Sequence, residues 1–451
     1  MHLHNRLKRS LLAAITCACG TVPPALAEQQ HSALDLVQAR AVLVIHDGKF
    51  NASTYRDAVL SDESMGHKDM LTVLQPGNAG AAAELGVSNS VTGPPEVLAV
   101  SPDGRYAYVV ERLGQRKPGA SKTADLAPGR LVTAIDLTDL AKPTIVSTVK
   151  AGPMIESVRV SPDGRFLALT ANGPDSAMLQ IVPVVAGQLG EPRSFALETL
   201  GVERRPDGAR GGINATFADW HPSGRLVSVN LNTRNEVAFF NFEASQGPIT
   251  LTPSGSPVTV GLDPFVGRFT PDGNHYITAD WGRNFKATDL AGRLPTAASR
   301  LSLIRLSGRD RNGRTEGHKV VANVETDRSS EGIAISQDGL HVATINMRET
   351  ALATDSPRHT KKASISYFQF EARTSTLKKI GDYQFEGVLP EGGTFDASGK
   401  HFIASVFEYA GAARGGGGLE VWSVNQTGTA GLTPVGRVAL PHGAHHVEIV
   451  P

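Results

Sequence analysis

The chain has 451 residues, with 44 Lys and Arg against 44 Asp and Glu and 40% apolar residues, which is ample for a buried core. A formal charge of zero with only 20% charged residues excludes two classes: a nucleic-acid binder driven by bulk positive charge, and a disordered polyelectrolyte.

Residues 1–27 read as a signal peptide. Arg6, Lys8 and Arg9 form a basic n-region, an apolar run extends from Leu11 to Gly20, and Ala25-Leu26-Ala27 offers a small-x-small cleavage site. The pattern implies export to the periplasm or beyond. The run is too short to span a bilayer and no later stretch approaches about 18 uninterrupted apolar residues, so no stable membrane insertion is expected. Both cysteines, Cys17 and Cys19, lie in this leader, so the remaining chain has no thiol nucleophile, disulfide or Cys-bound zinc. Without the leader, 41 basic residues face 44 acidic ones, a net charge of about −3. Residues 28–40 form a short N-terminal segment, and 41–451 read as one repeating unit.

Six segments share one pattern of an alternating apolar strand, a turn and a second strand. Their turns are Ser101-Pro102-Asp103-Gly104, Ser161-Pro162-Asp163-Gly164, His221-Pro222-Ser223-Gly224, Thr270-Pro271-Asp272-Gly273, Ser336-Gln337-Asp338-Gly339 and Asp396-Ala397-Ser398-Gly399, spaced by 60, 60, 49, 66 and 60 residues. A third apolar strand follows in each repeat, for example Leu131 to Leu137 or Leu419 to Val424, then a weaker fourth. Four antiparallel strands recurring at this period, without helical periodicity, predict the radial blades of a β-propeller. His445 to Pro451 reads as a first strand cut off at its turn, while Ala41 to Ile45 and Asp69 to Leu74 read as later strands of a blade lacking a first. Joining them gives a seventh blade built from both ends of the chain, which removes the exposed sheet edges. The predicted fold is all-β: a seven-bladed β-propeller closed by pairing the C-terminal strand with the N-terminal blade strands.

The strings VSPDGRYAYVV and VSPDGRFLALTAN resemble the repeats of seven-bladed YVTN-type and phosphogluconolactonase-like propellers, over roughly residues 41–451. That resemblance implies a lactonase-like propeller, a fold that also hosts other enzymes and plain binding modules. Lactonase-like members often open an inner strand with a Gly-Pro-Arg-His type stretch. Here the matching stretches read Gly93-Pro94-Pro95-Glu96 and Gly152-Pro153-Met154-Ile155-Glu156, without the Arg/His pair.

The start of strand one and the end of strand two face the side opposite the turns, around the channel. Counting five residues back from the first turn position gives Glu96, Glu156, Thr216, Phe265, Glu331 and Glu391, and His445 in the closing blade. Four carboxylates at one level repel one another, by up to about 4 kcal/mol for a pair at roughly 4 Å and an effective dielectric near 20. A bound cation, raised carboxylate pKa values or neighbouring Arg and Lys would offset this. A divalent metal ion on Glu96, Glu156, Glu331, Glu391 and His445 is the leading expectation, with His442 and His446 close in sequence. Two positions before the turn, Arg159, Asp219 and Arg268 in consecutive blades, with Glu448 in the closing one, suggest an interblade ion-pair chain.

Long polar loops gather on the same face as the ring, at 111–130, 280–300, 346–362 and 408–418, so a small-molecule ligand is expected there. The first functional reading is a lactonase-type hydrolase for a small anionic or sugar-derived lactone. In it the metal polarises the carbonyl or activates water, Glu331 or Glu391 moves the proton, and Arg112, Arg283 or Arg348 orients a carboxylate. The second reading is a non-catalytic propeller that grips a ligand or a protein partner.

Overall fold

The computed structural model describes residues 33–451 apart from 79–81, 175, 206–207, 245–247, 310–314 and 426–429. Residues 1–27, expected to be a signal peptide, lie outside the described residues. Seven antiparallel sheets of at least four strands form among the described residues, six of them in chain order from an inner strand outwards. The inner strands of blades one to six are Leu98–Val100, Ile155–Val160, Ala215–Trp220, Pro264–Phe269, Ser330–Ile335 and Gly393–Phe395.

Blade seven takes its inner strand, Ala444–Val450, from the C-terminus and its other three, Ala41–His46, Met70–Leu74 and Ala82–Gly86, from the N-terminal part of the chain. Val447 stands opposite Val44, and the Arg40 amide donates to the Val450 carbonyl at 2.8 Å. Each inner strand packs on the next, and Ala444–Val450 packs on Leu98–Val100, so the ring closes as the sequence predicts. Residues 33–40 join this closure. Ala33, Leu34 and Val37 are buried with Val42, Val44, Ile403, Leu419 and Val447, and the Gln38 amide donates to Asp396 at 3.0 Å.

The repeated turn has a local cause. Ser101 Oγ donates to Asp103 Oδ1 at 2.6 Å, the same carboxylate accepts from the Arg105 amide, and Ser101 Oγ accepts from the Tyr106 amide at 2.9 Å. Gly104 then takes φ 67°, the left-handed conformation that glycine adopts without a Cβ penalty. Ser161 with Asp163, Thr270 with Asp272 and Ser336 with Asp338 repeat the arrangement.

Departures from the repeat are confined to outer edges and loops. The fourth strands of blades two and three are each split in two, as Gln188–Leu189 with Arg193–Ala196 and Thr250–Pro253 with Val258–Thr259. Between the first two N-terminal strands of blade seven, residues 47–69 form a strap across the loop face. It is tied to blade one by Leu60 N to Ser121 O and Thr123 N to Ala58 O, and to blade six by His442 Nε2 against the Phe50 carbonyl at 2.6 Å.

Candidate functional site

The ring positions share a backbone feature that aims them. Glu156, Thr216, Phe265 and His445 each fall at a register shift between the inner strand and its neighbour, and Glu331 falls at the same shift with Gly332. A β-bulge breaks the ladder and re-aims a side chain, so these residues leave the alternating pattern of their strands. All seven ring residues are buried.

Burial divides the ring by the way each charge is handled. Glu96 Oε1 accepts from Arg268 Nη2 at 2.6 Å, a bond from blade four to blade one. Glu156 Oε1 lies 2.9 Å from Arg112 Nε and accepts from Asn172 Nδ2 at 2.9 Å. Glu331 and Glu391 pair with no arginine in this way among the described residues; the Tyr55 hydroxyl reaches Glu331, and the Glu391 oxygens find no hydrogen-bond partner among those residues. Burial raises Glu331 to about 8, against the pull of nearby Arg283 and a smaller one from Tyr55. Burial, then the charges of Glu331 and Asp47, raise Glu391 well above the usual carboxylate range. Burial therefore favours the protonated form of both acids.

Burial also lowers His445, to about 3, so its imidazole is neutral. Asn89 Nδ2 donates to the carbonyls of His46 and Val87, so Asn89 Oδ1 accepts, and His445 Nε2 is the donor to it at 2.9 Å. Among the described residues His445 Nδ1 has no hydrogen-bond partner.

The expected metal centre does not fit this arrangement. Arginines neutralise Glu96 and Glu156, and among the described residues no three His, Asp or Glu side chains converge as a ligand set. The carboxylate repulsion is relieved instead by Arg on one side of the ring and by protonation on the other. The expected ion-pair chain forms in altered connectivity. Arg159 pairs with Asp219 at 3.3 Å and with Glu448 at 3.2 Å, while Arg268 turns to Glu96, leaving Asp219 Oδ2 to accept the Phe269 amide.

Above the ring, between the strap and blades one and four, lies a cleft of about 600 Å³. Its walls carry Tyr55 and Phe50 from the strap, Arg112 from blade one, and Phe265, Trp281, Arg283 and Arg293 from blade four. Among the described residues no Asp or Glu lines it. Arg283 is sandwiched, its guanidinium carbon 3.9 Å from the Trp281 ring centroid and 4.3 Å from that of Phe265. Nε and Nη2 hold Asp263 at 2.6 and 3.0 Å, leaving Nη1 uncommitted to that carboxylate. Arg293 bonds only the carbonyls of Ala287 and Thr288, at 3.4 and 2.9 Å, and pairs with no carboxylate among the described residues.

Of the three arginines expected to orient a ligand, Arg112 and Arg283 reach this cleft. Arg348 does not: its Nε lies 3.3 Å from Asp327 and its Nη1 donates to the Lys362 carbonyl, fixing it in the outer loops of blade five. The sequence reading missed Arg293, Tyr55 and the strap. The strap's signal is the apolar set Phe50, Tyr55 and Leu60 inside a connection with no repeat pattern.

The propeller geometry meets one sequence family. Residues 58–408 match the model of the lactonase, 7-bladed beta-propeller family. The chain belongs to the seven-bladed propeller lactonase family. Solved propellers share the fold of this lactonase-family chain at low identity. A structure described as a putative 6-phosphogluconolactonase from Bacteroides uniformis is 16% identical, with a TM-score of 0.61 over 91% of this chain and 99% of that one. The periplasmic gluconolactonase of Pseudomonas aeruginosa is 14% identical, with a TM-score of 0.57 over 91% and 99%. A functionally unknown protein from Desulfotomaculum acetoxidans is 13% identical, with a TM-score of 0.59 over 91% and 99%. No curated protein matches the sequence of this family member. Among its described residues, no helix is long and apolar enough to cross a membrane.

Proposed function

We propose that the protein is an exported hydrolase that opens a small anionic lactone in the cleft above the ring. One observation carries the reading: three arginines line the cleft and, among the described residues, no carboxylate does, although Glu96, Glu156, Glu331 and Glu391 are buried in the ring beneath. Such a wall favours an anionic ligand and disfavours a cationic one. Family membership supplies the reaction class, and the basic, apolar and small-residue run of residues 1–27 supports export.

In this reading Arg293 and Arg112 hold the ligand's anionic group, and the Phe265 and Trp281 shelf carries its ring. The uncommitted Nη1 of Arg283 donates to the lactone carbonyl and stabilises the oxyanion formed when water adds. As the ring C–O bond breaks, Tyr55 donates its proton to the departing alkoxide. Protonated Glu331 restores it, and the proton released by the attacking water returns to Glu331, so the relay ends as it began.

The test is a pH-stat assay of lactone opening with two sugar-acid lactones, one carrying a carboxylate or phosphate and one uncharged. Preferential turnover of the anionic lactone is expected, with Arg293→Ala raising its KM roughly tenfold, the loss of one charged hydrogen bond. Calorimetric binding of the anionic lactone without turnover would make the protein a binding propeller instead, and neither binding nor turnover would end the assignment of the cleft.

A further inference from the structure

The strap and the last long loop meet on a single imidazole. His442 ends the outer strand of blade six, Gly431–His442, and its ring lies between two backbone carbonyls. Nδ1 is 2.7 Å from the Gly415 oxygen and Nε2 is 2.6 Å from the Phe50 oxygen. Carbonyl oxygens only accept. A neutral imidazole has one N–H and one lone pair, so one of these contacts would set lone pair against lone pair. Only the imidazolium, donating from both nitrogens, satisfies the two together.

The surroundings suit a cation. His67 of the strap stacks on the ring with centroids 3.8 Å apart and planes 10° apart, and Phe407 meets it edge-on at 5.0 Å. Burial, then the neighbouring His442, disfavours protonation of His67, so His67 is the neutral member of the stack. From the loop, Glu408 comes close: a Cβ placed on Gly415 would lie 3.1 Å from His442 Nδ1 and 3.6 Å from the Glu408 carboxyl carbon. Arg414 presents its carbonyl to His67 Nε2 at 2.9 Å. From the blade-seven strands, His46 Nδ1 lies 3.2 Å from the His442 carbonyl oxygen, and burial holds His46 near 4, uncharged. Asp47 is turned away, accepting the amides of Lys49, Phe50 and Val91.

We propose that His442 is a positioning residue, whose imidazolium clasps the strap to the blade-six loop and so holds Phe50 and Tyr55 as one wall of the arginine cleft. Deprotonation frees one of the two carbonyls. The strap then loosens once the imidazolium is lost. The clasp itself is independent of lactone chemistry. Only its consequence for turnover rests on the function proposed above.

Two measurements on the full chain test it. In ¹⁵N-histidine spectra at pH 6, His442 is expected to show both ring nitrogens protonated; a single neutral tautomer at that pH overturns the proposal. Amide hydrogen exchange at residues 49–61, corrected for the intrinsic pH dependence, is expected to rise roughly tenfold between pH 5.5 and 8.5, the loss of one charged hydrogen bond. In H442Q exchange should be fast at both pH values, whereas H67F, which keeps a stacked ring, should retain the step. A pH-independent strap in the wild type, or a step that survives in H442Q, refutes the clasp. If H442Q does not fold, the ring-nitrogen spectra and the H67F step decide. Since neither readout needs substrate, failure of the clasp is separable from failure of the hydrolase assignment.

Discussion

Arg268 places Nη2 2.6 Å from Glu96 Oε1 across 172 residues of sequence, joining blade four to blade one through the interior of the channel. Both side chains are largely buried, and the Arg268 guanidinium also lies 4.9 Å from the Phe217 ring centroid.

Breaking that pair from one side leaves a buried charge without its counterion. Glu96→Gln is therefore expected to lower unfolding stability by about 3–5 kcal/mol, read from urea denaturation, whereas replacing both residues by Met should cost much less. A double variant as unstable as the single one would show that packing, not charge, holds this contact.

Glu331 gives stability a pH dependence of definite sign. Its carboxyl titrates near 8 in the fold because burial raises it, against 4.5 in the unfolded chain. Between those values the unfolded chain releases this proton while the folded chain keeps it, so stability falls as pH rises. The slope approaches about 1.4 kcal/mol per pH unit from this group alone. Below pH 4.5 the acid is neutral in both states and contributes no slope. Glu331→Gln, a neutral mimic, should match the wild type near pH 5 and exceed its stability near pH 8. Identical pH dependence of the urea midpoint in the two proteins would contradict the protonated state assigned to Glu331.

How far the sequence disclosed the site follows from what repeats. Four of the six turns repeat Ser or Thr with Asp, and all six end in Gly, so blade number is legible from their spacing and closure from the strand-like text at both ends. The ring register is legible because each ring residue stands five positions before its turn, and in five of the seven blades a register shift falls there. Charge partners are not. Whether Glu96 meets a metal or Arg268 depends on which side chains face each other across the bore, and no local pattern encodes a contact 172 residues distant. The strap is equally hidden, because a single insertion has no second copy to compare with. The same limit explains Arg348. It occupies a loop position like that of Arg283, but Asp327 captures it, whereas Arg283 is clamped by Asp263 between Trp281 and Phe265.

The relay assigned to Tyr55 predicts a split in kinetic parameters. Tyr55→Phe keeps the aromatic wall and removes the transferable proton, so kcat for an anionic lactone should fall by about 10²–10⁴ while KM changes little. Arg283→Lys should act differently. It keeps the charge but loses the two-pronged hold on Asp263 and the stacked plane, lowering both kcat and thermal stability. Steady-state kinetics on the two variants tests the distinction, and equal effects on KM and kcat in Tyr55→Phe would place the hydroxyl in binding rather than proton transfer.

Closure from both ends makes the last few residues a structural requirement out of proportion to their number. Ala444–Val450 is the innermost strand of its blade, pairing with Ala41–His46 and packing on the inner strands of blades one and six. Removing 444–451 would unseal the ring, expose Val42, Val44 and Leu43, and open the backbone of Ala41–His46 as a free sheet edge. The lost burial and hydrogen bonding are comparable with the whole stability of a domain, about 5–15 kcal/mol. The truncated chain is expected to lose its cooperative urea transition and its near-ultraviolet circular dichroism, and to associate through the open edge. A truncated chain that stays monomeric and unfolds cooperatively with an unchanged midpoint would mean that the remaining blades stand without the closing strand.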